Sequence, residues 1–204
     1  MEILNIHLIK QEDLKNVITL LSKLKTHSRE SYVHSIDVAD KAVIIANSYG
    51  LSMDEIQQLY TAGLLHDIGK LYVTQDLLHK KNATKDEQDL IRFGHIVGTK
   101  SILSQYFDDD FVNLASHHHE RLNRTGYPEH LGSRRLSTLD RILQVADVTS
   151  ALAMKRSYKE PFSNDKVCSI LDELVNKGEL DKHCVEEAKK LLLVPYNIPS
   201  QMGS

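Results

Sequence analysis

The sequence predicts an all-α domain. Three observations carry that expectation. Apolar residues recur at helical spacing, no strand-like alternation lasts, and glycine and proline are sparse, at nine and four in 204 residues. That length suits one domain with a proper core. The expected architecture is a compact single-domain bundle of roughly eight or nine helices.

The elements follow in order. Residues 10–26 read as an amphipathic helix, with Leu14, Val17, Ile18, Leu21 and Leu24 on one stripe. A second helix runs from near Arg29 to Tyr49, with Gly50 as its C-terminal cap. Ser52 followed by Glu55 has the capping-box pattern and opens a third helix, which carries "LYTAGLLHDIGKL". Thr84 and Glu87 repeat that pattern and open a helix towards Leu103. "DDDFVNLASHHHE" reads as a short helix whose acidic start complements the helix dipole. Residues 123–135 read as loop, and "LSTLDRILQVADVTSALAMK" as a strongly apolar helix. Two more helices are expected near 163–177 and 181–193, before Pro195 and Pro199 close the chain.

Composition limits the function. Hydrophobic residues make up 41% and charged residues 26%, as in soluble globular proteins. A formal net charge of −3 gives no global basic field, so no polynucleotide partner is expected. The first residues, "MEILNIHLIKQEDLK", lack the basic start and unbroken apolar run expected of a signal peptide, and no run is long enough to span a membrane. Cys168 and Cys184 fit no CxxC pattern and read as free thiols in a reducing cytoplasm. The anomaly is the histidine count of eleven, several of them in apolar segments.

Polar residues interrupt the segments that should be most buried. His66 and Asp67 sit between Leu64, Leu65 and Ile68, and a buried carboxylate is costly unless it is paired or bound to metal. On a continuing helix, Lys70 would share their face. Glu30 and His34 are four apart, a spacing that lets a carboxylate and an imidazole converge. Asp147 breaks an apolar run, and His95 lies between Gly94 and Gly98, which admit another backbone. Each has an ordinary reading on its own: a satisfied core pair, an exposed helical pair, a cap, a core histidine. Together they supply mixed imidazole and carboxylate donors, which suit Fe, Mn or Zn. Asp67 would be the natural bridge between two ions, and Lys70 would stand ready for phosphate.

At this point the motifs resemble a family. "HS" at 34–35, "HDIGK" at 66–70, "GH" with a glycine three residues on at 94–98, "HHER" then "GYP" at 118–128, and "VAD…R.YK" at 145–159 appear in the order of the HD-GYP subgroup of HD-domain metal-dependent phosphohydrolases. The resemblance covers residues from about Glu30 to Lys159. It places the domain at 28–194, with an N-terminal helical extension at 1–27 and a tail at 195–204. It implies that His34, His66, Asp67, His95, His118, His119 and Asp147 are metal ligands, with Glu30 able to serve a third ion. It makes Lys70 a phosphate contact in the catalytic centre and Arg156 and Lys159 nucleotide contacts. The implied reaction is hydrolysis of cyclic di-GMP to pGpG or onward to GMP, using two or three divalent ions, Fe or Mn before Zn. His117 falls outside the ligand pair.

The departures fall elsewhere. Leu122 to Thr125 replace the usual approach to "GYP", with Arg124 where a glycine is usual, and Ser150 and Ser157 replace an aspartate and a proline. They leave two other readings open: a phosphohydrolase of another nucleotide on the same centre, or a cyclic-dinucleotide-binding or partner-binding module with weak catalysis. The GYP loop is also where a regulatory protein would dock.

Overall fold

The computed structural model describes residues 4–155 and 160–193. Among them are nine α-helices and no strand, the one bridge pairing Asn123 with Gly132. The helices are α1 (Leu14–His27), α2 (Arg29–Ala46), α3 (Met53–Leu65), α4 (Gln75–Leu78), α5 (Lys85–Leu103), α6 (Asp109–Ser116), α7 (Thr138–Ala153), α8 (Asn164–Asn176) and α9 (Lys182–Leu193). Short 3-10 turns cover Ile6–Leu8, Ile68–Tyr72 and His117–His119. The all-α expectation holds. Arg156, Ser157, Lys159, Pro195, Pro199 and the tail at 195–204 lie outside the described residues.

α2 packs against both α3 and α7 and is the centre of the bundle. Val38 and Ile45 of α2, Leu64 and Leu65 of α3, and Ile142 and Leu143 of α7 are fully buried there. Truncating any one of the leucines to alanine would cost about 2–5 kcal/mol. Gly63 sets the approach of α3 to α2, because a Cβ there would lie 2.7 Å from the Ala39 Cα. α1 adds Val17, Leu20, Leu21 and Leu24 to the same core, while α8 and α9 pack together beside α7. No helix among the described residues is long and apolar enough to cross a membrane.

Both expected capping boxes form: Ser52 with Glu55, and Thr84 with Glu87. A third, Ser137 with Asp140, opens α7. Other boundaries differ from expectation. α1 begins at Leu14, and Ile18 is 47% exposed, with Leu20 buried in its place. α2 stops at Ala46, and the chain turns out through Gly50 at φ 63.

The third helix stops earlier than its apolar pattern implies, at Leu65, with His66 as its C-cap. Beyond it the chain tightens into the 3-10 turn. The reason is tertiary. Gly69 and Gly98 lie backbone to backbone, so that a Cβ on either would overlap the other segment. The Thr99 hydroxyl locks the crossing, accepting from the Gly69 N–H at 3.0 Å and donating to the His66 carbonyl at 3.1 Å. Of the two glycines flanking His95, Gly98 makes the close approach, whereas Gly94 has only ordinary contact with Val73.

Candidate metal centre

Five segments converge at one end of α2. α2 supplies His34, the end of α3 supplies His66 and Asp67, α5 supplies His95, the turn after α6 supplies His118 and His119, and α7 supplies Asp147. Two groups of donor atoms each gather within 4.8 Å: His34 with His66 and Asp67, and His95 with His118 and His119. His118 and His119, both in the 3-10 turn at the end of α6, belong to the second group, and their ring centroids stand 4.1 Å apart.

The two carboxylates join the groups. Asp67 turns Oδ2 towards His66 Nε2 at 3.4 Å and His34 Nε2 at 3.9 Å, and Oδ1 towards His95 Nε2 at 3.9 Å. Asp147 does the same, with Oδ1 at 3.0 Å from His34 Nε2 and Oδ2 at 3.9 Å from His119 Nδ1. The bridging role expected of Asp67 is therefore geometrically open to Asp147 as well.

The imidazoles are held by their far nitrogens. The Nδ1–H groups of His66, His95 and His118 donate to the carbonyls of Gly63, Ile91 and Ala115, each at 2.8 Å. Their Nε2 atoms are buried with no hydrogen-bond partner. An orphaned buried polar atom is expensive, and three of them beside two carboxylates fit divalent cations. A carbonyl that accepts from the far ring nitrogen in this way fixes a ligating histidine's tautomer.

Protonation states agree with that fit. Burial pushes His34, His95 and His118 below the ordinary imidazole range, and His119 down to about 3, so these rings are neutral lone-pair donors. Burial opposes ionisation of Asp67 and Asp147. Lys70 and His66 overcome it for Asp67, and the neighbouring His34 does so for Asp147, holding both well below the carboxylate range. Burial would also lower His66, but Asp67 and Asp147 lift it, which marks a place that calls for positive charge.

Lys70 reaches the centre by the 3-10 turn rather than by a shared α-helical face, and its Nζ lies 2.5 Å from Asp67 Oδ2. Glu30 sits one turn before His34 and outside both converging groups. His117 points away, with Nδ1 at 3.1 Å from Asp140 Oδ1.

Several residues in and around the "HHER" and "GYP" motifs gain a role only from the structure. Glu120 is fully buried and accepts the backbone N–H groups of Glu129 at 2.6 Å and Leu131 at 2.7 Å, which ties down the GYP loop. Its signal in the sequence was its place in "HHER", after the ligand pair. Gly126 is required because a Cβ would strike the backbone of Glu120 and Arg121. Tyr127 stacks on His119 with ring centroids 4.7 Å apart, and Phe93 and Arg92 flank its ring. Arg124 adopts φ 67, in the left-handed region, where glycine would be unstrained.

A helical bundle with histidines and aspartates gathered in this way defines an HD-type domain. The HD domain family model matches residues 31–152, so the chain belongs to the HD domain family. The chain is 31% identical over 172 residues to the 3'3'-cGAMP-specific phosphodiesterase 1 of Vibrio cholerae, covering 83% of this chain and 40% of that protein. It is 34% identical over 147 residues to a cyclic di-GMP phosphodiesterase of Pseudomonas aeruginosa, covering 71% and 36%. It therefore spans about two fifths of the length of these relatives. The HD domain of the L. monocytogenes phosphodiesterase PgpH, solved with cyclic-di-AMP, superposes with TM-score 0.64 at 19% identity, over 85% of this chain and 93% of that one. These likenesses bear out the HD-GYP resemblance read from the motifs.

Proposed function

We propose that this chain hydrolyses a cyclic dinucleotide at a centre of two or three divalent ions. The observation that carries the reading is the set of orphaned Nε2 atoms facing two ionised carboxylates, each with one oxygen towards either histidine group. His34, His66, Asp67, His95, His118, His119 and Asp147 would hold two ions, with Glu30 serving a third. The donor set admits Fe, Mn or Zn, with Fe and Mn preferred. Bound ions would lower the pKa of a water and stabilise charge on the phosphoryl oxygens.

The protein's own groups do the rest. Lys70, next to Asp67, offers a point charge to a non-bridging phosphate oxygen. Arg156 and Lys159 would help hold the nucleotide. Water adds its hydroxyl to phosphorus, the P–O3′ bond breaks, and the departing 3′ oxygen takes a proton, opening the ring to a linear dinucleotide. The domain of 28–194 carries this chemistry, and the GYP loop, which covers His119 from outside, is where a regulatory protein would act.

Cyclic di-GMP is the leading substrate. A second reading, hydrolysis of 3'3'-cGAMP, is supported by the relative that covers 83% of this chain. Protein loaded with Fe(II) or Mn(II), its metal content verified, is incubated with each dinucleotide and the products are separated by chromatography. Turnover to pGpG supports the first reading, and preference for 3'3'-cGAMP the second. No turnover of either contradicts both.

A further inference from the structure

We infer that Ser150 is the positioning residue that aims His34 at the metal centre. The inference rests on the metal-centre reading and goes beyond it to ask what holds the ion on the His34 side. Three of the buried histidines are fixed by carbonyls three or four residues back in their own segments. No side-chain substitution can remove those contacts. His34 differs. Its Nδ1 lies 2.9 Å from the hydroxyl of Ser150, 116 residues away on α7.

The hydroxyl's single proton is committed elsewhere. Ser150 Oγ donates to Met154 Sδ at 3.2 Å, and a thioether can only accept. Oγ therefore presents a lone pair to His34, so Nδ1 carries the ring proton and Nε2 is bare. That bare nitrogen faces Asp147 Oδ1 at 3.0 Å. With the ring proton on Nδ1, that contact joins two lone pairs, which a bound cation would bridge. Asp147 and Ser150 are three apart on α7, so one helical turn grips His34 at both ring nitrogens. Ser150 is fully buried, so no bulk water competes with its hydroxyl for His34.

The hydroxyl orients His34 without adding charge. Loss of a hydrogen-bond partner behind a ligating histidine lowers metal affinity by about 10–100-fold. The effect should be confined to one ion, because His95 and His118 of the other group have their own carbonyl supports.

The test is Mn2+ binding to the full chain, read by competition with a chelator, for wild type, Ser150→Ala and Ser150→Thr. In Ser150→Ala one class of Mn2+ weakens about tenfold or more, the other stays as in wild type, and Ser150→Thr restores both. Unchanged binding in Ser150→Ala, equal weakening of every ion, or weakening that threonine does not restore overturns the inference. Circular dichroism shows whether Ser150→Ala folds. If it does not, Ser150→Cys, a weak acceptor of similar shape, is read in the same way. Wild-type protein that takes up no Mn2+ overturns the metal centre itself, and this inference with it.

Discussion

Lys70 places its Nζ 2.5 Å from Asp67 Oδ2, the same oxygen that faces His34 and His66. A cation on a side chain thus shares a carboxylate with the candidate metal ligands. Lys70→Met removes the charge but keeps much of the stem. Metal content should stay at the wild-type level while kcat/KM falls by about 10–100-fold, a loss of about 1.4–2.7 kcal/mol in transition-state stabilisation. Elemental analysis beside steady-state kinetics separates the two effects. Loss of an ion in Lys70→Met would show that the lysine supports Asp67 rather than meeting phosphate.

Glu120 should matter more to stability than its place beside the ligands suggests. Glu120→Ala would strand the N–H groups of Glu129 and Leu131 at the foot of the GYP loop. The expected cost is about 2–4 kcal/mol, with Glu120→Gln losing less because the amide oxygen still accepts one bond. Urea unfolding of metal-free protein measures this, and equal midpoints for wild type and Glu120→Ala would contradict it.

Arg124 holds a backbone conformation that glycine adopts freely. Arg124→Gly should raise stability by about 1 kcal/mol, and Arg124→Val should lower it by a similar amount or more, because β-branching disfavours positive φ. A shift of the urea midpoint in the opposite direction for either variant would show that the arginine side chain, packed over Gly132, outweighs the backbone term.

The two thiols should behave differently. Cys184 is 1% exposed, its Sγ is 2.9 Å from the Tyr49 hydroxyl, and burial pushes its pKa up to about 12. Only the thiolate reacts. A disulfide reagent at pH 8 should therefore titrate Cys168, which is partly exposed, and reach Cys184 only after denaturation. Two native thiols reacting at one rate would contradict this.

The donor residues were legible from the sequence because each breaks an apolar pattern and together they follow a known motif order. Their geometry was less so. The end of α3 at Leu65 has no local signal: "HDIGKL" continues the apolar spacing, and the break comes from Gly69 meeting the α5 backbone. Ile18 falls on the apolar stripe by spacing, yet the bundle buries Leu20 instead. Ser150 stood out in the sequence only as a departure from the family pattern, and Glu120 only as part of "HHER"; neither showed its role. The role of the serine emerges when its partner, 116 residues away, is placed beside it. Glu120 finds its partners only when the loop folds back. The Ser137–Asp140 box, by contrast, was readable from its spacing.

The most direct test is the metal-to-protein ratio of anaerobically purified, Mn2+-loaded and desalted chain, measured by elemental analysis. Two ions per chain is the minimum expected from the two donor groups. If Glu30 serves a further ion, the ratio is three in wild type and two in Glu30→Ala. A ratio of one or less in folded wild-type protein would contradict the joined centre.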